Sequence, residues 1–573
     1  MKELTRGSLV FVFHSHIPYC RKSGMWPFGE EWLYEAMLGS YIPFLDVLRS
    51  MPCSEDKSCQ DGSSGKLPIS VTIGVTPILL DQLDDDYMRN GFIKWTQARI
   101  KRAEEDRKRF SLTGDKAKER LAGAYCDEYR QHLKAFCNDY SGDIVGALAE
   151  LERQGVVEII TSAATHGYLP LLNEDTSIRA QLAVGCECHE VKFGRPARGI
   201  WLPECAYRPG LEEYLEYLGL KYFFVDRHAV EGGVPIGVSS GGKVREVNAN
   251  HAVFGEEGTR GTTYKPYLVN RSNVVCMGRN ERVTTQVWSQ RLGYPGDGLY
   301  REFHRKDDVS GLQYWRVTAR ETDLGRKEVY DREEAVLRAR EHAAHFVGLV
   351  HELINDWNET TGEHSLIVAP YDMELFGHWW YEGVLWLSET LKGLPDSSTV
   401  AVCSAGEFLN LHPPCDSIQL PESSWGRGGR HEVWLNDETA WMWNMIHAAE
   451  ARIKRLAALS RTTEDTDLLE LLKVQALREF LLLTSSDWPF LITEKQAEDY
   501  GAKRFREHAE RFDRLMDYAE AMLDEEEPKV SEDEIIGYLS YVSALDNPFP
   551  NLRFSVLGRQ NHEGLEKEEV WQD

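Results

Sequence analysis

The stretch Ser365-Leu-Ile-Val-Ala-Pro-Tyr-Asp372-Met-Glu374-Leu-Phe-Gly-His378-Trp379-Trp380-Tyr381-Glu382-Gly383 constrains this chain more than any other. Leu366 to Ala369 is an unbroken apolar run, the pattern of a strand buried on both faces. After Pro370 come two acids, a histidine and two tryptophans in quick succession. A buried strand that empties into acids and aromatics is how α/β barrels build active sites at the C-terminal ends of strands. Carboxylates supply acid/base chemistry and flat aromatic faces pack against sugar rings, so the cluster suits a carbohydrate site. Taken alone, the two tryptophans read as core.

The same grammar recurs along the chain. Leu9-Val-Phe-Val-Phe13 reads as a strand delivering His14-Ser-His16, and histidines at i and i+2 share a face. Such a pair can bind metal, hydrogen-bond a sugar or sit satisfied at a strand end. Ile69–Thr76 is a second strand, Val157–Ala164 a third ending in Thr165-His166-Gly-Tyr, and Gly199-Ile-Trp-Leu-Pro-Glu204 a fourth ending in an acid. Tyr222-Phe-Phe-Val-Asp226-Arg-His228 is a fifth, and Thr399-Val-Ala-Val-Cys403 closes the series. Helical patterns intervene near 175–192, 210–219 and 331–355, and this alternation predicts a parallel α/β barrel.

Residues 78–153 read as charged amphipathic helices inserted into the barrel, and 231–263 as a glycine-rich loop region. Strands vanish after about 437, where helical patterns form a C-terminal bundle interrupted by Thr484-Ser-Ser-Asp487-Trp488-Pro-Phe. The expected organisation is a barrel in two parts, 1–77 and 154–410, a helical insertion at 78–153 and a C-terminal helical domain at 411–573.

The 573 residues carry a net charge of −27. Such a chain is repelled by phosphate backbones and anionic lipid, so nucleic acid and membrane surfaces are excluded as partners and a neutral polymer fits better. No apolar stretch reaches the roughly 20 residues that span a bilayer, and the N-terminus has no signal pattern. The cysteines are scattered and often lie in apolar runs, which predicts reduced thiols and a cytoplasmic location. Cys53 and Cys59 share a polar insertion and can pair. Cys186-Glu-Cys188-His189 is a loose metal-like cluster that also reads as helix surface.

Glu204 and Asp372, both at strand ends, are the candidate catalytic pair. A retaining glycosidase needs one carboxylate as nucleophile and another as general acid/base, roughly 5–5.5 Å apart. A chain with 92 acids will also end some strands in acids by chance. The competing reading is a metal site drawn from His14, His16, His166, Asp226, His228 and His378, although no His-Glu-x-x-His signature occurs.

Five segments in order resemble the motifs of glycoside hydrolase family 57. They are His14-Ser-His16-Ile-Pro-Tyr, Ala164-Thr-His166-Gly-Tyr, Trp201-Leu-Pro-Glu204-Cys-Ala-Tyr207, Tyr371-Asp372-Met-Glu-Leu-Phe-Gly-His378-Trp-Trp and Thr484-Ser-Ser-Asp487-Trp488-Pro-Phe. Gly296-Asp-Gly-Leu-Tyr-Arg-Glu-Phe-His-Arg-Lys306-Asp and Gly311–Thr318 are similar to the 1,4-α-glucan branching enzymes of that family. The resemblance implies an incomplete (β/α)7 barrel with an inserted helical domain and a C-terminal helical domain. It implies Glu204 as nucleophile and Asp372 as acid/base. It places His14, His16 and His166 around the attacked glucose and His378 among the binding residues. Trp26, Trp288, Trp425 and Trp434 then follow the glucan groove, with Asp487 and Trp488 contributed by the C-terminal domain. The partner is an α-glucan and no cofactor is implied. The acceptor decides the product: a 6-hydroxyl gives a branch, a 4-hydroxyl a rearranged chain, water an amylase.

One departure bears on that choice. Branching members that this chain resembles carry a shielding tyrosine in a loop after the strand matching Tyr222–Asp226. Here no tyrosine follows Val230 until Tyr264. Excluding water favours transfer over hydrolysis, and Tyr264 can serve only if the loop folds back.

Overall fold

The computed structural model describes residues 5–51, 68–240, 243–246, 261–289, 291–394, 399–459, 466–523 and 530–558. Cys53 and Cys59 lie outside the described residues. The chain divides into two compact units, one of residues Met1–Ala163 and Gly185–Glu432, the other of Ala164–Val184 and Val433–Asp573. The division after Glu432 falls beyond the 410/411 boundary expected from the loss of strands, because a late strand still pairs with the first unit's sheet. The second motif, which starts at Ala164, groups with the C-terminal unit.

The first unit is built on a twelve-stranded sheet. Its strands are β1 (Gly7–Ser15), β2 (Val71–Val75), β3 (Val157–Ser162), β4 (Gly199–Trp201), β5 (Tyr222–Val225), β6 (Val234–Ser240), β7 (Lys243–Glu246), β8 (Tyr267–Val269), β9 (Val275–Gly278), β10 (Ser365–Asp372), β11 (Val400–Val402) and β12 (Asp416–Gln419). The path β10-β1-β2-β3-β4-β5-β9 is parallel throughout. β11 pairs with the start of β1, off this path. Beyond β9 the sheet turns antiparallel through β8, and β12 pairs with both β8 and β6. The segment expected as glycine-rich loop therefore contains the β6–β7 hairpin. Alternation of β-branched residues within it, at Val234, Ile236 and Val238, is the signal that its glycines obscured.

The parallel strands put one row of side chains into a common core. Val10 and Val12 of β1, Ile160 of β3, Trp201 of β4, Tyr222 and Phe224 of β5, Val275 and Met277 of β9, and Leu366 and Val368 of β10 belong to a single buried cluster. Strand side chains alternate between faces, and continuing each row past this cluster reaches His14, Asp226, Arg279 and Asp372. The β1–β10 register sets His14 directly beside Asp372. An apolar core thus ends in polar groups at the C-terminal ends of its strands.

The helical insertion comprises Pro77–Asp84, Asp86–Thr113, Lys116–Lys134 and Ile144–Arg153. Earlier, the helices Glu30–Ala36 and Ile42–Arg49 are joined by a π-helical turn, Met37–Tyr41. That turn packs against the loop after β10: Ser40 Oγ donates to Met373 O at 2.8 Å. Gly39 and Gly377 make the approach possible, since a β-carbon on Gly377 would run into the Gly39 carbonyl and its φ is +92°.

The second unit is helical, with Ala440–Leu459, Asp467–Leu483, Asp487–Thr493, Glu498–Leu523 and Glu532–Leu545. A buried polar clasp joins two of these helices, where Glu479 Oε2 and His508 Nδ1 lie 2.7 Å apart. The same helix surface holds the segment that follows Leu545, through Gln475 Nε2 donating to Asp546 O and Arg478 Nε to Pro548 O. Among the described residues, no helix is long and apolar enough to cross a membrane.

Gly377→Ala forces both a backbone clash and a left-handed alanine. It is expected to lower unfolding free energy by more than about 2 kcal/mol, read as a fall in the urea midpoint. Gly325→Ala, which meets open space, is the neutral control.

Candidate active site

Glu204 stands just past β4 on a tight turn, Pro203–Cys205, with φ 62° and ψ 23°. Left-handed backbone at a residue other than glycine, asparagine or aspartate is strained and persists only where neighbours enforce it. Here Cys205 N–H donates to Leu202 O at 2.9 Å and Trp425 N–H to Glu204 O at 3.0 Å. The Trp425 indole N–H then donates to Glu204 Oε2 at 2.6 Å. Trp425 also packs edge-on against Trp201, so the indole is fixed by the core as it grips the carboxylate.

Asp372 is the last residue of β10 and is half-buried. Burial pushes its carboxyl well above the ordinary aspartate value, the neighbouring Glu374 adds to the rise, and Arg279 opposes it. Glu374, buried, is pushed up to about 7 by burial, with the Tyr41 hydroxyl bond pulling the other way. The two carboxyls therefore sit in unlike surroundings, Glu204 under an indole N–H and Asp372 pushed toward its protonated form by burial.

His14 stacks on Trp201 with ring centres 4.8 Å apart. Burial, with His16 beside it, lowers its pKa well below the usual histidine value, so it is a neutral imidazole. His16 Nδ1 lies 3.0 Å from Thr76 Oγ1 and its backbone N–H donates to Glu374 Oε1 at 3.1 Å. His378 is half-buried in the loop after β10. Burial lowers its pKa to about 4, despite Glu35 nearby.

A pocket of about 390 Å³ opens beside these groups, lined by Asp226, Arg227, His228, Arg279, Thr284, Trp288 and their neighbours. Arg279 bonds Asp226, and His228 Nε2 lies 3.0 Å from Gly429 O. Trp288 and Trp379 form an edge-to-face pair at 6.2 Å, and both are substantially exposed. Trp26, 75% exposed, is the most open of the expected tryptophans.

In the C-terminal unit, His166 has φ 58°, and its Nδ1 lies 2.8 Å from Ser486 Oγ while Ser486 N–H donates to His166 O. Two motifs more than three hundred residues apart in the chain thus form one structure. Asp487 is half-buried and accepts from Ser485 Oγ at 2.6 Å. Trp434 and Trp488 differ from the expectation of open aromatic faces, being 1% and 0% exposed. Trp434 stacks on Tyr168 at 4.4 Å, and Trp488 donates its indole N–H to Leu482 O at 2.8 Å. Neither ring has a face left for a sugar.

Among the described residues, none of the six groups of the metal reading joins a cluster able to hold an ion, and His16, His166 and His228 each lie within hydrogen-bond distance of a hydroxyl or carbonyl oxygen. Glu479, His508 and Asp546 do cluster. Guanidinium groups already occupy that cluster, Arg511 on Asp546 and Arg504 on His508 Nε2. Cys188 and His189 are buried on the helix Asp175–Phe193 rather than on its surface, Cys186 is half-buried, and among the described residues they join no group able to hold an ion.

Sequence reasoning passed over Arg279, Tyr41 and Glu374. Arg279 carries the signal of being the next inward position after Met277, and Glu374 that of sharing a motif with Asp372. Tyr41 gave none. Tyr264 is held elsewhere: its ring lies flat on Trp357 at 4.8 Å, and its carbonyl accepts from Leu366 N–H. That is the start of β10, about 20 Å of strand away from Asp372 at its end.

The chain belongs to glycosyl hydrolase family 57, whose family model it matches over residues 10–421. Residues 445–557 match the model for the C-terminal domain of 1,4-α-glucan branching enzymes. A 1,4-α-glucan branching enzyme of Thermococcus kodakarensis is 42% identical over 529 residues, 89% of this chain and 73% of that protein. The crystal structure of a branching enzyme of this type from Pyrococcus horikoshii aligns with TM-score 0.83 at 38% identity, covering 97% of this chain and 98% of that one. The α-amylase AmyC of Thermotoga maritima aligns with TM-score 0.81 at 28% identity, over 97% and 100%.

Trp434→Ala removes a buried ring stacked on Tyr168. It is expected to cost the C-terminal unit about 3–5 kcal/mol, measured by urea denaturation. A stable variant with weakened glucan affinity would instead restore Trp434 to the binding surface.

Proposed function

We propose that the protein is a 1,4-α-glucan branching enzyme that cuts an α-1,4 bond and rejoins the freed chain to a 6-hydroxyl. Glu204 attacks the anomeric carbon while Asp372 passes its proton to the departing 4-oxygen. The covalent glycosyl-enzyme is then attacked by an acceptor 6-hydroxyl, whose proton returns to Asp372 as the bond to Glu204 breaks. The observation that carries this reading is the contrast between the two strand-end carboxyls, one fastened by the Trp425 indole and the other kept protonated by burial. Relatives at 42% and 31% identity bear the branching-enzyme name, the second as a probable one.

The scaffold is an incomplete (β/α)7 barrel, with 78–153 as the helical insertion. The seven-strand parallel path supports this, and so does the Asn280 N–H bond to Val368 O at 3.0 Å, which ties the end of β9 to β10. His14 and His16 flank Asp372 from the β1 side and hold the attacked glucose. The Asp226–Arg279 pocket flanks it from the β9 side and receives the acceptor, with Trp288 as its stacking face. Trp26, Trp425 and His378 extend the groove, while His166 and Asp487 are candidate sugar contacts of the C-terminal unit taken by itself. Free buried thiols, Cys276 of β9 among them, support a cytoplasmic setting.

Hydrolysis is the second reading, and the placement of Tyr264 against Trp357 favours it. No tyrosine occurs in the sequence from 230 to 263 to shield the intermediate from water.

The test is purified protein on amylose, with α-1,6 linkages counted by NMR and new reducing ends by a reducing-sugar assay. Linkages in large excess establish branching; reducing ends in excess establish an amylase. Glu204→Gln and Asp372→Asn are each expected to abolish turnover. Trp425→Phe removes one hydrogen bond to a charged group and is expected to reduce kcat roughly 10- to 100-fold, with the fold retained.

A further inference from the structure

Two residues beyond the acid/base stands a second buried carboxyl that the mechanism above does not use. Glu374 Oε1 accepts the hydroxyl of Tyr41 and the backbone N–H of His16. Tyr41 is itself buried and is the last residue of the π-helical turn. An extra residue in a helical turn redirects the side chain that follows, which is why such turns gather at functional sites. Here the turn is locked to the same loop by Ser40 on Met373 O and by the Gly39–Gly377 approach. On the other side, Ser15 Oγ contacts Met373 Sδ at 2.9 Å, and Trp379 N–H donates to Glu374 O at 3.1 Å. A carboxyl fastened from two segments, in a loop itself pinned on both sides, has been built in, since burying one without partners is costly.

We propose that Glu374 is a positioning residue, clamped by the Tyr41 hydroxyl and the His16 N–H so that its charge faces Asp372 and governs when that residue gives up its proton. The inference rests on Asp372 being the acid/base. When Glu374 is ionised, its negative charge opposes a second charge on Asp372. The acid form then survives to higher pH for the bond-breaking step, and Asp372 is a stronger base for the incoming hydroxyl. The other groups facing the pair are Arg279, which works in the opposite sense on Asp372, Tyr41, Cys20 beside Tyr41, and the buried Cys205 thiol beside Asp372 and Glu204. His14, lowered by burial and His16, is neutral and adds no charge.

The sign follows directly. Removing the Glu374 charge makes Asp372 easier to ionise, so the alkaline limb of kcat/KM on amylose moves to lower pH. Glu374→Gln keeps size and hydrogen-bonding atoms, and the limb is expected to move by roughly one pH unit or more. Tyr41→Phe deprives the ionised Glu374 of a donor, holds its proton to higher pH and moves the limb the same way by less. With an aryl maltooligoside whose leaving group needs no proton, neither variant is expected to move the limb of the first step. Lost activity with an unmoved limb on amylose would make Glu374 merely structural and overturn the proposal, as would a rise in KM alone, which would make it a sugar contact. If Glu374→Gln fails to fold, the Tyr41→Phe profile decides. Asp372→Asn separates the two layers: turnover retained there defeats the acid/base assignment, whereas turnover abolished there with an unmoved limb in Glu374→Gln defeats this inference alone.

Discussion

Side chains of a strand alternate between its two faces, and the site depends on that alternation. Val10 and Val12 on β1, Tyr222 and Phe224 on β5, Val275 and Met277 on β9, and Leu366 and Val368 on β10 fill one core. The same rows, continued outward, bring His14, Asp226, Arg279 and Asp372 to one end of the sheet. A charge in a lower row would lose its water without gaining a partner. At the last row the strands stop, partners converge from neighbouring strands, and charge becomes tolerable. The candidate catalytic end is therefore where the core's own packing rule runs out.

That position also makes the chemistry possible. Burial penalises the charged form of Asp372 and pushes its pKa well up, and Glu204 is held in a left-handed turn by bonds to its backbone and its carboxylate. Both arrangements are unfavourable locally, and both are sustained by elements that are well packed. Trp425 is fixed against Trp201, and the loop after β10 is fixed against the Met37–Tyr41 turn. Strain and raised proton affinity sit together where the surrounding core is most able to enforce them.

Tryptophan is where reading from sequence and structure part most clearly. Trp26, Trp288, Trp425, Trp434 and Trp488 look alike in the chain, each in a polar setting, yet they range from 75% exposed to fully buried. An indole can stack on a sugar, pack on a tyrosine or cap a carbonyl with the same atoms. Nothing in the neighbouring residues of Trp434 announces Tyr168, which is more than two hundred residues away. The histidines divide likewise: His14 was legible as the extension of an apolar strand, whereas the Ser486 partner of His166 was not.

By itself the sequence determined most strands of the parallel path and the polar residues that follow them, because apolar runs and their polar endings are local patterns. Five ordered motifs also determined the family. Tertiary structure alone decided that the glycine-rich region after Val230 carries a hairpin, that Tyr264 belongs to the start of β10, that Trp434 is core, and that Tyr41 meets Glu374. Each of those depends on which distant segment supplies the neighbour. Such pairing is chosen by the packing of the whole unit, since the free energy of burying a ring or a carboxyl resides in its contacts rather than in its identity.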